Sequence, residues 1–191
     1  MRETIQPIYE RKASNGDFFG YYYRMGIFAQ FVTKRRYNRY SDEKWKVHIN
    51  YPIDMSDAVK REYLQTVLTY LQTNDLSHKI VIREDDIRYR MNQDDPFNTQ
   101  NGKIITIYCH TEWECYRTMD QLDQLFRKRR YIHYPLQPEQ RFRNDRVFRD
   151  NPLIGYRYAS TPRRPYYVPP TNRYGRPIED LQEKYNLVHQ K

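Results

Sequence analysis

Residues 44–51 alternate strictly between apolar and polar side chains. Successive side chains of a β-strand point to opposite faces, so this alternation predicts a strand with one packed face and one charged face. On the polar face, Lys46 and His48 are two residues apart, which places an ammonium and an imidazole about 7 Å from each other. The apolar face carries Trp45, Val47, Ile49 and Tyr51.

Two longer segments have the periodicity of amphipathic helices. In residues 55–71, apolar side chains recur every four positions, and Ser56 or Asp54 is placed to cap the first turn. Thr111 and Glu114 have the spacing of a capping box. The helix predicted after them has one apolar stripe and ends in the basic run 127–130, where cations suit the negative helix terminus. The stripe consists of Cys115, Met119, Leu122 and Phe126.

Shorter runs predict further strands, at residues 18–23, 26–32, 79–83, 103–109 and 153–160. Pro177 can begin a last helix over residues 178–188. We therefore predict an α+β fold, with a twisted, mostly antiparallel sheet flanked by two longer helices. Residues 17–191 are expected to form this single domain, after a flexible N-terminal segment at residues 1–16. Near the C-terminus lies an Arg/Pro/Tyr-rich loop region, in which residues 127–174 carry twelve Lys or Arg against Glu139, Asp145 and Asp150.

The composition fits one domain with a modest core. The chain has 191 residues, of which 38% are hydrophobic and 20 are Tyr. A tyrosine can bury its ring while its hydroxyl stays hydrated, so a Tyr-lined core is expected. The net charge of +9 points to an anionic partner, but charge alone does not distinguish RNA, a membrane and a phosphorylated protein.

Several functional classes lack their signatures in this sequence. No apolar run approaches the roughly 18 residues of a membrane helix, and no apolar stretch near Met1 resembles a signal peptide, so we expect no membrane partner. Cys109 and Cys115 alone cannot build a disulfide framework or a four-ligand zinc site. The five His form no HExxH pair, and GxGxxG, P-loop and GxSxG motifs are missing. We therefore expect no bound cofactor.

The order of the motifs resembles that of a known family. Residues 18–20, Gly26 and then Trp45-Lys46-Val47-His48-Ile49 resemble the core of the type III effector phosphothreonine lyases, in which a strand reads W-K-x-H-[IL]. The sequence Gly-Lys-Ile-Ile-Thr-Ile-Tyr at 102–108 is similar to that family's G-x-x-[FI]-T-[LV]-Y strand. This segment and residues 156–158, Tyr-Arg-Tyr, also resemble the lyase domains of class III and IV lanthipeptide synthetases. The resemblance covers about residues 18–165.

The resemblance implies a β-elimination without a metal. A phosphothreonine loses its α-proton and its phosphate and becomes dehydrobutyrine, and a phosphoserine correspondingly gives dehydroalanine. By position, Lys79 would be the general base, His48 the general acid on the leaving phosphate oxygen, and Lys46 a stabiliser of the enolate-like carbonyl. Residues that would hold the phosphate or orient the acid are Tyr108, Arg157 and Arg164.

The chemistry of Lys79 sets a physical condition on this assignment. A lysine with the reference pKa of ~10.4 is a free amine in only about one molecule in 2,500 at pH 7. Making it half neutral requires lowering the pKa by about three, worth ~4–5 kcal/mol, which burial and nearby cations can supply. A bound phosphate raises the pKa of the groups that it touches, so His48 should lie close to the phosphate and Lys79 nearer the α-carbon.

Two positions depart from the family pattern. Where the family has an arginine about ten residues before the tyrosine, this chain has Asn98, and Arg88 or Arg90 is the candidate replacement. Two residues after the tyrosine, His110 stands where a lysine is expected.

The partner is expected to be a phosphorylated protein or peptide. The favoured candidate is the activation loop of a MAP kinase, bound by an effector that a specialised secretion system delivers into a host cell, because W-K-x-H is closer to that branch of the resemblance. The other is a lanthipeptide precursor, dehydrated in the cytoplasm. Each residue taken singly is also compatible with a solvated charge on a basic sheet.

A different class of function is a non-catalytic, basic, Tyr-rich module that binds nucleic acid. Its electrostatic footprint would consist of residues 127–130 with Arg141, Arg143, Arg146 and Arg149. Since the chain has no RNP1 pattern, we favour the phosphorylated partner over a nucleic acid.

Overall fold

One antiparallel sheet organises the part of the chain that the computed structural model describes, residues 20–33, 45–91, 100–143 and 145–158. Across the sheet the strands lie in the order β1-β2-β4-β5-β3-β7-β6, and every neighbouring pair is antiparallel. Two long helices complete the described fold, α1 (Asp57–Thr73) and α2 (Glu112–Lys128). The strands are β1 (Gly20–Met25), β2 (Phe28–Thr33), β3 (Trp45–Ile49), β4 (His78–Val81), β5 (Ile105–Cys109), β6 (Arg146–Phe148) and β7 (Asn151–Tyr158).

The apolar face of the sheet forms the core with the two helices. Val47 of β3 lies opposite Ile107 of β5 and Tyr156 of β7, so the alternation in each strand continues across the sheet. These side chains are buried in one cluster with those of α1 and α2. Both helices begin at the predicted caps, because Ser56 Oγ accepts from Val59 N at 3.4 Å and Thr111 Oγ1 accepts from Glu114 N at 3.0 Å.

The opposite face carries the polar positions of the central strands. Lys46 is paired with Tyr108 of β5 on one side and with Arg157 of β7 on the other. His48 is paired with Thr106 and Gly155, and Thr106 is in turn paired with Lys79 of β4. Since paired residues of adjacent strands point to the same face, the registers place all these residues together.

The segment between α2 and β6 crosses the end of β3. It contains two 3-10 turns, Tyr131–His133 and Pro138–Gln140. Asn50 Nδ2 donates to Gln140 O at 2.5 Å, and Gln140 Nε2 donates to Tyr51 O at 3.0 Å. After Gln140 the ring of Phe142 packs against Gly155, so the segment is fastened over the polar face.

The α+β fold with two flanking helices is confirmed. The strand expected at 79–83 is shifted, because β4 starts at His78 and ends at Val81, and a helical turn at Glu84–Asp86 with its continuation Ile87–Met91 follows it. β6 was not expected; it is three residues long and pairs with β7 as a hairpin. Cys109 and Cys115 are both buried and form no disulfide. Neither long helix, nor any other helix among the described residues, is long and apolar enough to cross a membrane.

Some predictions lie outside the described residues. They concern the N-terminal segment 1–16, Asn98, Arg164 and the helix at 178–188. The single-domain assignment of residues 17–191 stays a prediction.

Candidate active site

His48 lies at the centre of the polar face and is held by a buried carboxylate. Its Nδ1 pairs with Oδ2 of Asp145, which is in the segment leading into β6. The side chain of Asp145 is completely buried. Because a carboxylate accepts, the neutral imidazole donates from Nδ1 and keeps the lone pair on Nε2. The carboxylate therefore fixes both the tautomer and the orientation of the ring.

Two cations share the other oxygen of Asp145. Lys103 Nζ lies 3.1 Å from Oδ1, and Arg157 Nε lies 3.9 Å from the same atom. All three atoms are buried without an aligned hydrogen bond to a described residue, so charge rather than hydrogen-bond geometry holds them together. Buried polar groups are normally paired, and an unsatisfied cluster of this kind is typical of a functional site. The pKa of Asp145 is lowered by His48, Lys103 and Arg157, against the opposing effect of burial.

Lys46 and Tyr108 extend the cluster along the strands. The ammonium of Lys46 lies 5.4 Å from the centroid of the Tyr108 ring, in the geometry of a cation–π contact. On the other side of Lys46, Arg157 has a third of its side chain exposed. An ammonium, a phenol and a guanidinium therefore lie side by side near His48, a set that suits a phosphate.

Lys79 approaches the cluster from β4. It is separated from His48 by one strand, with Thr106 between them, so the two Cα atoms are about 10 Å apart. Its ammonium lies 4.1 Å from the centroid of the Phe28 ring. Burial lowers the pKa of Lys79, and the charge of Arg157 lowers it further. These are the two causes that a lysine base requires.

The imidazole of His48 has the opposite requirement. Burial lowers its pKa to about 4, against the opposing effects of the hydrogen bond and the charge of Asp145. Lys103 and Arg157 lower this pKa as well. In the free protein His48 is therefore neutral at pH 7, and a proton on Nε2 has to come with an anionic ligand.

The structure brings together five of the residues that the sequence singles out and places another elsewhere. Arg88 pairs with Glu84 at 3.2 Å, and Glu84 also accepts from Lys60 of α1 at 2.8 Å. Arg88 thus contacts Glu84, which is itself tied to α1. Arg90 lies in the helical turn after β4, but its side chain is not among those described. The five residues that share the polar face are Lys46, His48, Lys79, Tyr108 and Arg157.

Sequence reasoning missed Asp145 and Lys103 as members of the site. Asp145 is one of only three acids in the basic region 127–174, and this isolation was the only available signal. Lys103 reads as a solvated residue at the start of a strand, yet its side chain is 2% exposed.

The arrangement suits proton transfer beside a bound anion. It offers an amine with a lowered pKa, an imidazole oriented by a carboxylate, and cations at the neighbouring register position of the same face. Within the described parts of the chain, no three His, Cys, Asp or Glu side chains are grouped as ligands for a metal ion.

Comparison with solved structures finds a phosphothreonine lyase. The structure of the type III effector/phosphothreonine lyase OspF from Shigella flexneri is 15% identical in sequence, with a TM-score of 0.44. The match covers 73% of this chain and 70% of that chain. No curated protein matches the chain.

Comparison with family models gives a different name from the one the resemblance placed first. The model described as RamC, N-terminal domain, matches residues 22–171. The RamC N-terminal domain family is not the family of the effector phosphothreonine lyases. The expected membership of the effector lyases is therefore confirmed only in part. Because the match spans most of the sequence, the chain belongs to the RamC N-terminal domain family.

Proposed function

We propose that the protein is a lyase that removes phosphate from phosphothreonine or phosphoserine by β-elimination. The observation that carries the proposal is the convergence of a lysine with a lowered pKa and a carboxylate-bound histidine on one face of the sheet. Lys79 and His48 flank Thr106, and Arg157 lies close enough to lower the pKa values of both. A base and an acid on one face, next to cations that can hold a phosphate, are what elimination of a phosphate requires.

In this reaction the neutral amine of Lys79 takes the proton from the α-carbon of the phosphorylated residue. The electron pair of the C–H bond forms the double bond between the α- and β-carbons, and the bond from the β-carbon to the phosphate oxygen breaks. Lys46 stabilises the negative charge that develops on the neighbouring carbonyl. Phosphate leaves with a proton from His48, so Lys79 ends protonated and His48 ends neutral. Proton exchange with solvent then removes the proton from Lys79 and returns one to His48 for the next substrate.

The substrate itself supplies the condition for protonating His48. A phosphomonoester carries about −1.5 to −2 charges at pH 7, and an anion next to a histidine favours its protonated form. Arg157 and Lys46 hold the anion, while Tyr108 donates to it or orients the acid. Because β5 lies between Lys79 and His48, the same anion raises the pKa of Lys79 less.

The proposed substrate class is a phosphorylated protein or peptide, and it has two candidate members. The match to the RamC N-terminal domain family favours the lanthipeptide-related alternative, in which a phosphorylated precursor peptide is dehydrated in the cytoplasm. The alternative of a secreted effector acting on a MAP kinase rests on the W-K-x-H resemblance of residues 45–48.

Intact mass spectrometry of a phosphothreonine peptide tests the reaction. After incubation with the protein, elimination removes the mass of phosphoric acid and leaves a residue that adds thiols. Hydrolysis instead restores threonine, and the mass that the peptide loses is smaller than in elimination by the mass of one water. We expect elimination to be unaffected by EDTA. A product with restored threonine, or release that depends on added metal, would show a phosphatase and contradict the proposal.

A further inference from the structure

Lys103 has a chemical setting that the proposed reaction leaves unexplained. It lies just before β5, after Gly102, whose φ of +76° and close approach to Gln140 O leave no space for a side chain. Its ammonium is buried against Asp145 Oδ1 at 3.1 Å. Burying a lysine costs free energy, because its charge leaves water. Replacing a buried ion pair by apolar residues often leaves the stability of the fold unchanged or raises it. A functional reason for retaining the pair is therefore required.

The two oxygens of Asp145 have different partners. Oδ2 faces His48 Nδ1, and Oδ1 faces Lys103 and Arg157. Arg157 is a third exposed and belongs to the phosphate-binding set, whereas Lys103 is 2% exposed and out of reach of a substrate. When a phosphate draws the guanidinium toward itself, Lys103 is the cation that stays with the carboxylate.

We propose that Lys103 is a positioning residue for His48: by holding Oδ1 of Asp145, it keeps Oδ2 on Nδ1 and so turns Nε2 toward the substrate. This inference rests on the proposed function for its catalytic consequence, but the orientation of the imidazole can be measured without turnover. Lys103 contacts neither substrate nor reacting atoms and acts only through Asp145.

The test compares Lys103→Met, which removes the charge at similar length, with Lys103→Arg, which keeps it. We expect Lys103→Met to lower kcat by about 10–100-fold, the range found for residues that orient a functional histidine, with little change in KM. Lys103→Arg should recover most of the loss. Lys128→Met, at an exposed position of α2, is the matched control and should equal the wild type.

Nuclear magnetic resonance of the His48 ring gives a readout that a merely structural role would not move. In the wild type, Lys103→Arg and Lys128→Met, the Nδ1 proton should appear as a strongly deshielded signal, because it is bonded to a carboxylate. In Lys103→Met the signal should be lost or the ring should populate both tautomers. An unchanged Nδ1 signal together with an unchanged kcat would overturn the inference.

A variant pair covers the case in which Lys103→Met does not fold. Lys103→Met combined with Asp145→Asn removes both charges of the buried Lys103–Asp145 pair, and it is compared with Asp145→Asn alone. If Lys103 acts through Asp145, adding Lys103→Met to Asp145→Asn changes kcat by less than about twofold. A further loss of 10-fold or more would show that Lys103 acts by another route. If the wild type eliminates no phosphate, the proposed function fails, while the Nδ1 signal still decides the role of Lys103.

Discussion

In the proposed elimination, Lys79 is the residue on which the chemistry depends most directly. Its side chain lies against the Phe28 ring, and both burial and Arg157 lower its pKa. A lysine on an exposed strand would remain charged at pH 7 and could not take a proton from carbon. Phe28 of the neighbouring strand β2 is therefore part of the environment that lowers the charge of Lys79.

We predict that Lys79→Met abolishes elimination and leaves phosphopeptide binding in place. General acid–base groups typically contribute about 10²–10⁴-fold to a rate, so phosphate release should fall to this extent or below detection. Binding should change by only a few fold, since Arg157 and Lys46 hold the phosphate. Phosphate release and fluorescence titration with a labelled phosphopeptide measure the two effects, with Lys128→Met as the control. Turnover close to that of the wild type would remove Lys79 as the base.

At the scale of elements, the polar face depends on a segment that the strands do not determine. The segment from α2 to β6 brings Asp145 to a position opposite His48, 97 residues away in sequence. Gly155 permits this approach, because a Cβ there would lie 3.0 Å from ring carbons of Phe142 and 3.1 Å from Cβ of Asp145. The close packing of sheet and segment sets the distance from the carboxylate to the imidazole.

We predict that Gly155→Ala damages the site more than its small size implies. The added methyl displaces Phe142 and Asp145, which should destabilise the fold by about 1–3 kcal/mol, as overpacking does, and should lower kcat through misplacement of Asp145. Chemical denaturation and phosphate release measure the two effects. Phe142→Leu in the same protein makes room for the methyl and should restore part of both. A Gly155→Ala protein as stable and active as the wild type would show that the segment moves without cost.

The elements also show which parts of the structure a sequence can predict. The alternation in residues 44–51 and the spacing in α1 and α2 are local patterns, and the structure follows them closely. Lys46, His48 and Lys79 could be predicted as polar-face residues because strand periodicity alone determines the face. Asp145 could not be predicted, since it precedes a strand of only three residues and no periodicity applies to it. Lys103 is buried by the segment between α2 and β6, which carries Asp145. The pattern of the strand that follows Lys103 does not predict this burial.

At the scale of the whole molecule, part of the positive charge behind the net +9 belongs to described arginines that form ion pairs with acidic side chains. Arg127 and Arg149 both pair with Asp123 of α2, at 3.0 Å, and Arg149 also pairs with Asp120 at 2.6 Å. Arg129 reaches Glu62 of α1 at 3.4 Å. Three arginines of the footprint expected for a nucleic-acid-binding module thus contact acidic groups and help to hold the β6–β7 hairpin and the helices together. This weakens the electrostatic case for that alternative.

A second buried histidine connects three elements of the fold. His78 Nδ1 donates to Leu76 O at 2.8 Å, so its Nε2 accepts from Tyr22 OH at 2.7 Å. The Tyr22 oxygen in turn accepts from Gln72 Nε2 of α1 at 3.1 Å. Burial lowers the pKa of His78 to about 4, against the opposing effect of the bond to Leu76. Burial and the hydrogen bond from Tyr22 OH therefore both favour a neutral imidazole in this network of β1, β4 and α1.

This arrangement predicts how global stability depends on pH. His48 and His78 have pKa values of about 4 in the folded protein and about 6.5 when unfolded, so the unfolded chain binds more protons between these values. Their contribution is complete above pH 6.5 and is lost as the pH falls from 6.5 to 4, by about 3 kcal/mol for each histidine. Urea unfolding at a series of pH values should show stability rising with pH over this interval.

The slope of the unfolding free energy against pH, rather than its absolute value, identifies the groups that take up protons. His78→Phe loses the bonds to Tyr22 and Leu76 and should be less stable at pH 8, but its unfolding free energy should fall less steeply between pH 6.5 and 4 because one proton fewer is taken up. His133→Gln, at an exposed position, should keep the slope of the wild type. If His78→Phe kept that slope too, the acid sensitivity would have to come from carboxylates such as Asp145. Because the pKa of Asp145 is lowered from 3.8, its contribution is lost at lower pH than that of the histidines, and the two origins separate along the pH axis.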